Sequence, residues 1–188
     1  MTSRPQVEPV RRVHIVGMAG SGKTTLARQL AERLHAPCYE LDVVGYENGA
    51  KRSIEARRVD LSQIVSQPSW VTEGAFIWWI DDLLQHAEVI VWLDLHWSLC
   101  YQRIVLRHIK ADIARNNRHP GFMKMLSFAK DVRPRYLDPV PCTPSGPNDD
   151  GANRAATADI LSPYKNKVVH CRRPSDVARF LRQGSQLG

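Results

Sequence analysis

Gly17-Met18-Ala19-Gly20-Ser21-Gly22-Lys23-Thr24 fits G-x-x-x-x-G-K-[ST], and its surroundings decide the fold. Before it, Arg11-Arg12-Val13-His14-Ile15-Val16 reads as a short buried strand. After it, Thr25 to Leu34 has the apolar spacing of an amphipathic helix. Strand, glycine-rich loop and helix in that order make an anion cradle. The three glycines let the backbone wrap an anion at φ values that a Cβ opposes. The free N–H groups and the dipole at the helix start then face the phosphates. Gly17, Ala19, Gly20, Ser21, Gly22 and Thr25 are therefore expected along the phosphates of a nucleoside triphosphate. Lys23 brings a mobile ammonium to the β- and γ-phosphates, and Thr24 brings a hydroxyl to Mg²⁺.

Composition narrows the setting. The 188 residues suffice for one α/β domain with a full core and are short for two. The formal charge of +7, from 26 basic and 19 acidic residues, suits an enzyme gripping polyanions. With no basic run of five or more, a nucleic-acid partner is possible but not favoured. Cys38, Cys100, Cys142 and Cys171 are widely spaced and form no C-x-x-C pair, so reduced thiols are expected. Met1 to Arg12 is polar, with no apolar leader core. The longest apolar run, Val89 to Leu93, is too short to span a bilayer. A soluble cytoplasmic protein without a membrane partner is expected. Its domains are a disordered lead over residues 1–12 and a single domain over 13–188.

Further along, Cys38-Tyr39-Glu40-Leu41 reads as a second strand ending at Asp42, followed by a loop over 43–50 and a helix over 51–67. Trp70-Val71-Thr72 forms a third strand that delivers Glu73-Gly74. Residues 76–86 read as a helix with Ile77, Ile80, Leu83 and Leu84 on one face. Val89 to Leu93 is continuously apolar, as a strand covered on both faces should be, and ends at Asp94. Helices follow over 98–114 and 122–132, with a turn at 116–121. Residues 138–156, rich in Pro, Gly, Asn and Asp, read as a long mobile surface segment. Lys167 to Cys171 gives a fifth strand, and Pro174-Ser175-Asp176 opens a closing helix. The alternation of strands and helices implies a parallel sheet with helices on both faces.

In such sheets ligands sit beyond the carboxyl ends of the strands. Asp42, Glu73 and Asp94 each fall at such an end and should converge on the glycine-rich loop. Asp94, after an apolar strand, has the pattern of a Mg²⁺-holding acid beside Thr24, with a purely structural acid as the alternative. Asp42 or Glu73 would position an acceptor hydroxyl or orient the substrate. Arg103, Arg107, Arg115 and Arg118 form a second cluster, with Arg103 and Arg107 one helical turn apart. Arginine forks suit phosphate oxygens and the charge that develops during phosphoryl transfer. Only Asp112 supplies a local acid between Asp94 and Asp131, which tilts this cluster toward anionic ligands.

Taken together, the loop, Leu41-Asp42, Trp70-Val71-Thr72-Glu73-Gly74, Val89 to Asp94 and the Arg103/Arg107 helix resemble the adenylate-kinase-like P-loop kinases. Within these they are most similar to the DNA topology modulation protein (FlaR-like) group. The likeness covers about Val13 to Tyr136, with a weaker echo from Lys167 to Leu181. It implies a three-layer P-loop NTPase fold, a five-stranded parallel sheet of order 2-3-1-4-5, and ATP on the loop. It also implies a small helical lid over about 107–124 whose Arg107, Arg115 and Arg118 meet phosphate, with Arg172 near the adenine ring. Three features depart from the group's pattern. Glu73-Gly74 replaces Asp-Gly, Leu95-His96-Trp97 replaces Leu-Pro, and 43–67 carries no transferable substrate signature. The expected activity is ATP- and Mg²⁺-dependent phosphoryl transfer by Lys23, Asp42, Glu73 and the lid arginines to a small molecule, possibly a nucleotide or nucleoside. A nucleotide-dependent regulator or nucleic-acid-associated ATPase is the alternative, motivated by the +7 charge.

Overall fold

A computed structural model describes residues 10–115, 121–144 and 151–183. Most of the expected lead, the tip of the 116–121 turn with Arg118, and the middle of the 138–156 stretch lie outside them.

Five strands form one parallel sheet: β1 Arg12–Gly17, β2 Cys38–Glu40, β3 Trp70–Gly74, β4 Val89–Leu93 and β5 Val168–Cys171. Their order is β2-β3-β1-β4-β5. Successive side chains alternate between its faces. Val13 and Ile15 of β1 join Val71, Val91 and Leu93 on one face, beneath helices α1 Lys23–Leu34 and α8 Pro174–Gln183. Val16, Trp70, Ile90 and Trp92 pack on the other face. That face is covered by α3 Ile54–Val65, α4 Asp81–His86, α5 Trp97–Ile113, α6 Phe122–Leu137 and α7 Arg154–Leu161. A short α2, Leu41–Gly45, follows β2. Among the described residues, no helix is long and apolar enough to cross a membrane.

Five local expectations need correction. The second strand stops at Glu40, because Leu41 and Val44, three residues apart, are buried as one face of α2 rather than alternating. The expected loop contains an antiparallel ribbon, Tyr46–Glu47 against Ala50–Lys51, turned by Asn48 and Gly49 at positive φ. The expected helix over 76–86 begins only at Asp81. Phe76, Ile77, Trp79 and Ile80 are all buried, which leaves no solvent face for a helix, and the Arg57 guanidinium lies 5.6 Å over Trp79. The 138–156 segment is anchored at both described ends. Asn153 caps α7 through Ala156 N–H and donates from Nδ2 to the Val140 carbonyl (2.6 Å), and Ala152 is buried. The helix expected over 122–132 also continues, past Pro134, to bring Tyr136 into the core.

Candidate active site

β1 ends at Gly17, and α1 begins at Lys23, so residues 18–22 form the loop between them. Gly20 (φ 80°) and Gly22 (φ 99°) sit in the left-handed region that favours glycine. A Cβ on Gly20 would lie 2.6 Å from the Cys100 carbonyl oxygen, so α5 packs directly on the loop. No side chain caps the start of α1, which leaves its first N–H groups for a ligand.

The loop borders a cavity of about 700 Å³ at the carboxyl ends of the central strands. Ala19 to Thr25 line its floor, Asp42, Glu73 and Ala75 one end, and Pro174 and Val177 the other. Strand order explains this division, since β2 and β3 flank β1 on one side and β4 and β5 on the other. Gly17 borders the loop from β1 without lining the cavity; a Cβ there would lie 2.8 Å from the Leu93 carbonyl oxygen.

Glu73 pairs in register with Ile15, so its side chain falls on the α1 face. There it accepts a 2.5 Å hydrogen bond from the Thr24 hydroxyl. Burial pushes the Glu73 carboxyl above its ordinary pKa, opposed by the Thr24 bond and the Lys23 charge. Lys23 donates to the Met18 carbonyl at 3.3 Å. Burial lowers its pKa, while the nearby Glu73 and Asp42 carboxylates oppose that shift and Arg107 adds to it. Lys23, Asp42, Glu73 and Arg107 therefore share one electrostatic neighbourhood. Two further side chains hold loop carbonyls, Arg103 from the cavity wall and Tyr136 from outside the cavity. Arg103 Nη1 donates to the Ser21 carbonyl (2.8 Å), and the buried Tyr136 hydroxyl donates to the Ala19 carbonyl (2.6 Å).

Asp94 is placed differently from the expected metal-holding acid. Alternation turns it opposite to Leu93, toward the α7 face, where both oxygens are occupied. Arg154 donates to them from Nε (2.6 Å) and Nη2 (2.7 Å), and His170 Nε2 contacts Oδ2 at 2.8 Å. The His170 ring stacks on Trp92 with centroids 4.1 Å apart. Asp94 does not line the cavity. Arg172 is exposed, with its backbone N–H on Asp176, and its neighbours Pro174 and Val177 reach the cavity instead. Arg115 is exposed at the end of α5 with φ 52° and does not line the cavity, and Arg118 lies outside the described residues. Gln29 and Phe128 line the cavity without having been singled out from the sequence. Gln29 lies one helical turn beyond Thr25 on α1, a spacing that marks it; no sequence signal marks Phe128.

Among the described residues, no group of three His, Cys, Asp or Glu side chains is placed to hold a metal by itself. Mg²⁺ in a phosphate site needs no such cage, because phosphates and water supply most of its ligands. A Thr24 hydroxyl beside a buried Glu73 fits that requirement.

The sequence matches no protein-family model and no curated protein. Solved structures do match. A shikimate kinase from Bacteroides thetaiotaomicron is similar over 95% of this chain and 98% of its own, with a TM-score of 0.52 at 13% identity. The fold is that of the P-loop kinases. A gluconokinase from Sinorhizobium meliloti 1021 is similar over 96% of this chain and 93% of its own, at 16% identity and a TM-score of 0.49. At such identities the likeness is one of fold.

Proposed function

We propose that this chain is an ATP- and Mg²⁺-dependent phosphotransferase acting on a small-molecule acceptor. The observation that carries the reading is the joining of Lys23, Thr24, Glu73 and Arg107 around one cavity floored by uncapped backbone N–H groups. The loop N–H groups and Lys23 hold the phosphates, and Arg107 offsets charge as the phosphoryl group transfers. Bound Mg²⁺ would be held by Thr24, with Glu73 orienting that hydroxyl, and would neutralise phosphate charge. The Thr24–Glu73 bond supports a reading in which the transferring end faces β3 and the acceptor sits at the end walled by Asp42 and Ala75. The nucleoside of ATP then lies toward Pro174 and Val177. Asp42, exposed in the first turn of α2, is the acid available to accept a proton from an acceptor hydroxyl. A nucleoside or nucleotide is the favoured acceptor, on the likeness to adenylate-kinase-like proteins.

The test is ADP formation with Mg²⁺ over a panel of nucleosides, nucleoside monophosphates, sugars and hydroxy acids, with Lys23→Ala as the blank. An acceptor-dependent rise absent from Lys23→Ala supports the reading. Turnover at the parent rate in Lys23→Ala overturns it.

A further inference from the structure

Two loop carbonyls are held by side chains of neighbouring helices, Arg103 from the cavity wall and Tyr136 from outside the cavity, and each precedes a glycine at positive φ. Tyr136 Oη holds the Ala19 carbonyl, before Gly20, and Arg103 Nη1 holds the Ser21 carbonyl, before Gly22. A trans peptide is planar, and its C=O and N–H point in opposite directions. Holding the Ala19 oxygen toward α6 therefore turns the Gly20 N–H away from α6. Holding the Ser21 oxygen toward α5 does the same for the Gly22 N–H. Both glycines line the cavity. Glycine is also the residue at which such a peptide flips most readily, because positive and negative φ are nearly equivalent for it. The loop's own bonds, from the Ser21 N–H and Lys23 Nζ, go to the Met18 carbonyl, while the Ala19 and Ser21 carbonyls are held by α6 and α5.

We propose that Tyr136 is a positioning residue of the nucleotide site, locking the Ala19–Gly20 peptide so that the Gly20 N–H faces bound phosphate. Tyr136 is well placed for this. Its side chain is buried, its ring packs on Trp97 with centroids 5.0 Å apart, and α6 carries it directly under the loop. Without the phenol this bond to the Ala19 oxygen is lost, and the peptide gains freedom to turn its carbonyl into the anion site, where it would repel phosphate. The inference rests on the cavity being a phosphate-binding site, as the proposed function holds.

The experiment compares the full-length protein with Tyr136→Phe, which keeps the ring and removes one oxygen. Binding of Mg·ADP, inorganic tripolyphosphate and adenosine is measured by calorimetry, beside the melting temperature of each protein. The expected result is a loss of about 5- to 15-fold in affinity for ADP and tripolyphosphate, the scale of one hydrogen bond, with adenosine binding unchanged. A variant that melts earlier yet binds ADP and tripolyphosphate with the parent's affinity overturns the inference, because a purely structural bond would do only that. Should Tyr136→Phe fail to fold, amide NMR of the parent protein decides. The Gly20 N–H resonance is expected to shift on adding tripolyphosphate, and an unmoved Gly20 resonance beside shifted Lys23 and Thr24 resonances overturns the inference. A parent protein that binds neither ADP nor tripolyphosphate contradicts the phosphate site itself rather than the role of Tyr136.

Discussion

The Thr24 hydroxyl donates to Glu73 Oε1 at 2.5 Å, joining the first turn of α1 to the end of β3. With its proton committed to Glu73, Thr24 presents only oxygen lone pairs elsewhere, which is what a cation needs. Glu73→Gln replaces an acceptor-only carboxylate by an amide that also donates. Turnover is expected to fall about 10- to 100-fold, with a raised Mg²⁺ requirement and little change in metal-free nucleotide affinity. Steady-state rates across a Mg²⁺ titration check this.

The same carboxyl leaves a mark on stability. Burial raises its folded-state pKa above the unfolded value of 4.5. The folded state therefore holds the proton more tightly over that interval, and stability falls as pH rises from about 4.5 through the raised value. Urea denaturation should show this descending contribution in the parent and not in Glu73→Gln.

His14 acts in the opposite direction. It is fully buried on β1, its Nδ1 lies 2.9 Å from Thr72 Oγ1, and burial together with the Lys23 charge lowers its pKa from 6.5 to about 3. The unfolded chain binds this proton more readily, so the stability due to neutral His14 is complete above pH 6.5. It is lost at about 1.4 kcal/mol per pH unit as pH falls toward about 3. His14→Gln, which can still bond Thr72, should flatten this acid limb in denaturation curves taken between pH 7 and pH 3.5.

Asp94 separates a structural acid from a metal-holding one. Its side chain is 4% exposed and paired with Arg154 and His170. Arg154→Leu leaves the buried carboxylate with His170 alone and is expected to cost about 2–4 kcal/mol, below the range for a fully buried pair because Arg154 is half exposed. Asp94→Asn should likewise lower the melting temperature while leaving the Mg²⁺ dependence of turnover in place. A shifted Mg²⁺ requirement in Asp94→Asn would restore the metal-holding role expected from its sequence pattern.

Much of this architecture is legible in the sequence, for identifiable reasons. The loop motif is local, and β4 is an unbroken apolar run, so both are read directly. The strand order came from resemblance and agrees with the sheet observed. What escaped depends on contacts distant in sequence. Glu73 and Asp94 look alike as acids at strand ends, but alternation sends one to Thr24 and the other to Arg154, 60 residues away. Tyr136 meets Ala19 across 117 residues and lies beyond a proline that suggests a helix end. Ile77, Ile80, Leu83 and Leu84 have helix-like spacing, yet Phe76 and Trp79 are buried beside Ile77 and Ile80, and burial overrides the periodicity.

Arg107 lines the cavity beside Lys23, so its loss should act on the transition state more than on binding. Arg107→Gln is expected to lower turnover about 10³-fold with only a few-fold change in ATP affinity. Calorimetry and steady-state kinetics on one preparation separate the two effects.

The most direct test follows the γ-phosphate itself. Protein, Mg²⁺ and ATP labelled at the γ-phosphate are incubated with the acceptor panel, and the label is traced. Phosphotransfer predicts label covalently attached to an acceptor, with one ADP formed for each phosphorylated product and none from Lys23→Ala. Label found only as inorganic phosphate, at a rate indifferent to every acceptor, would contradict it.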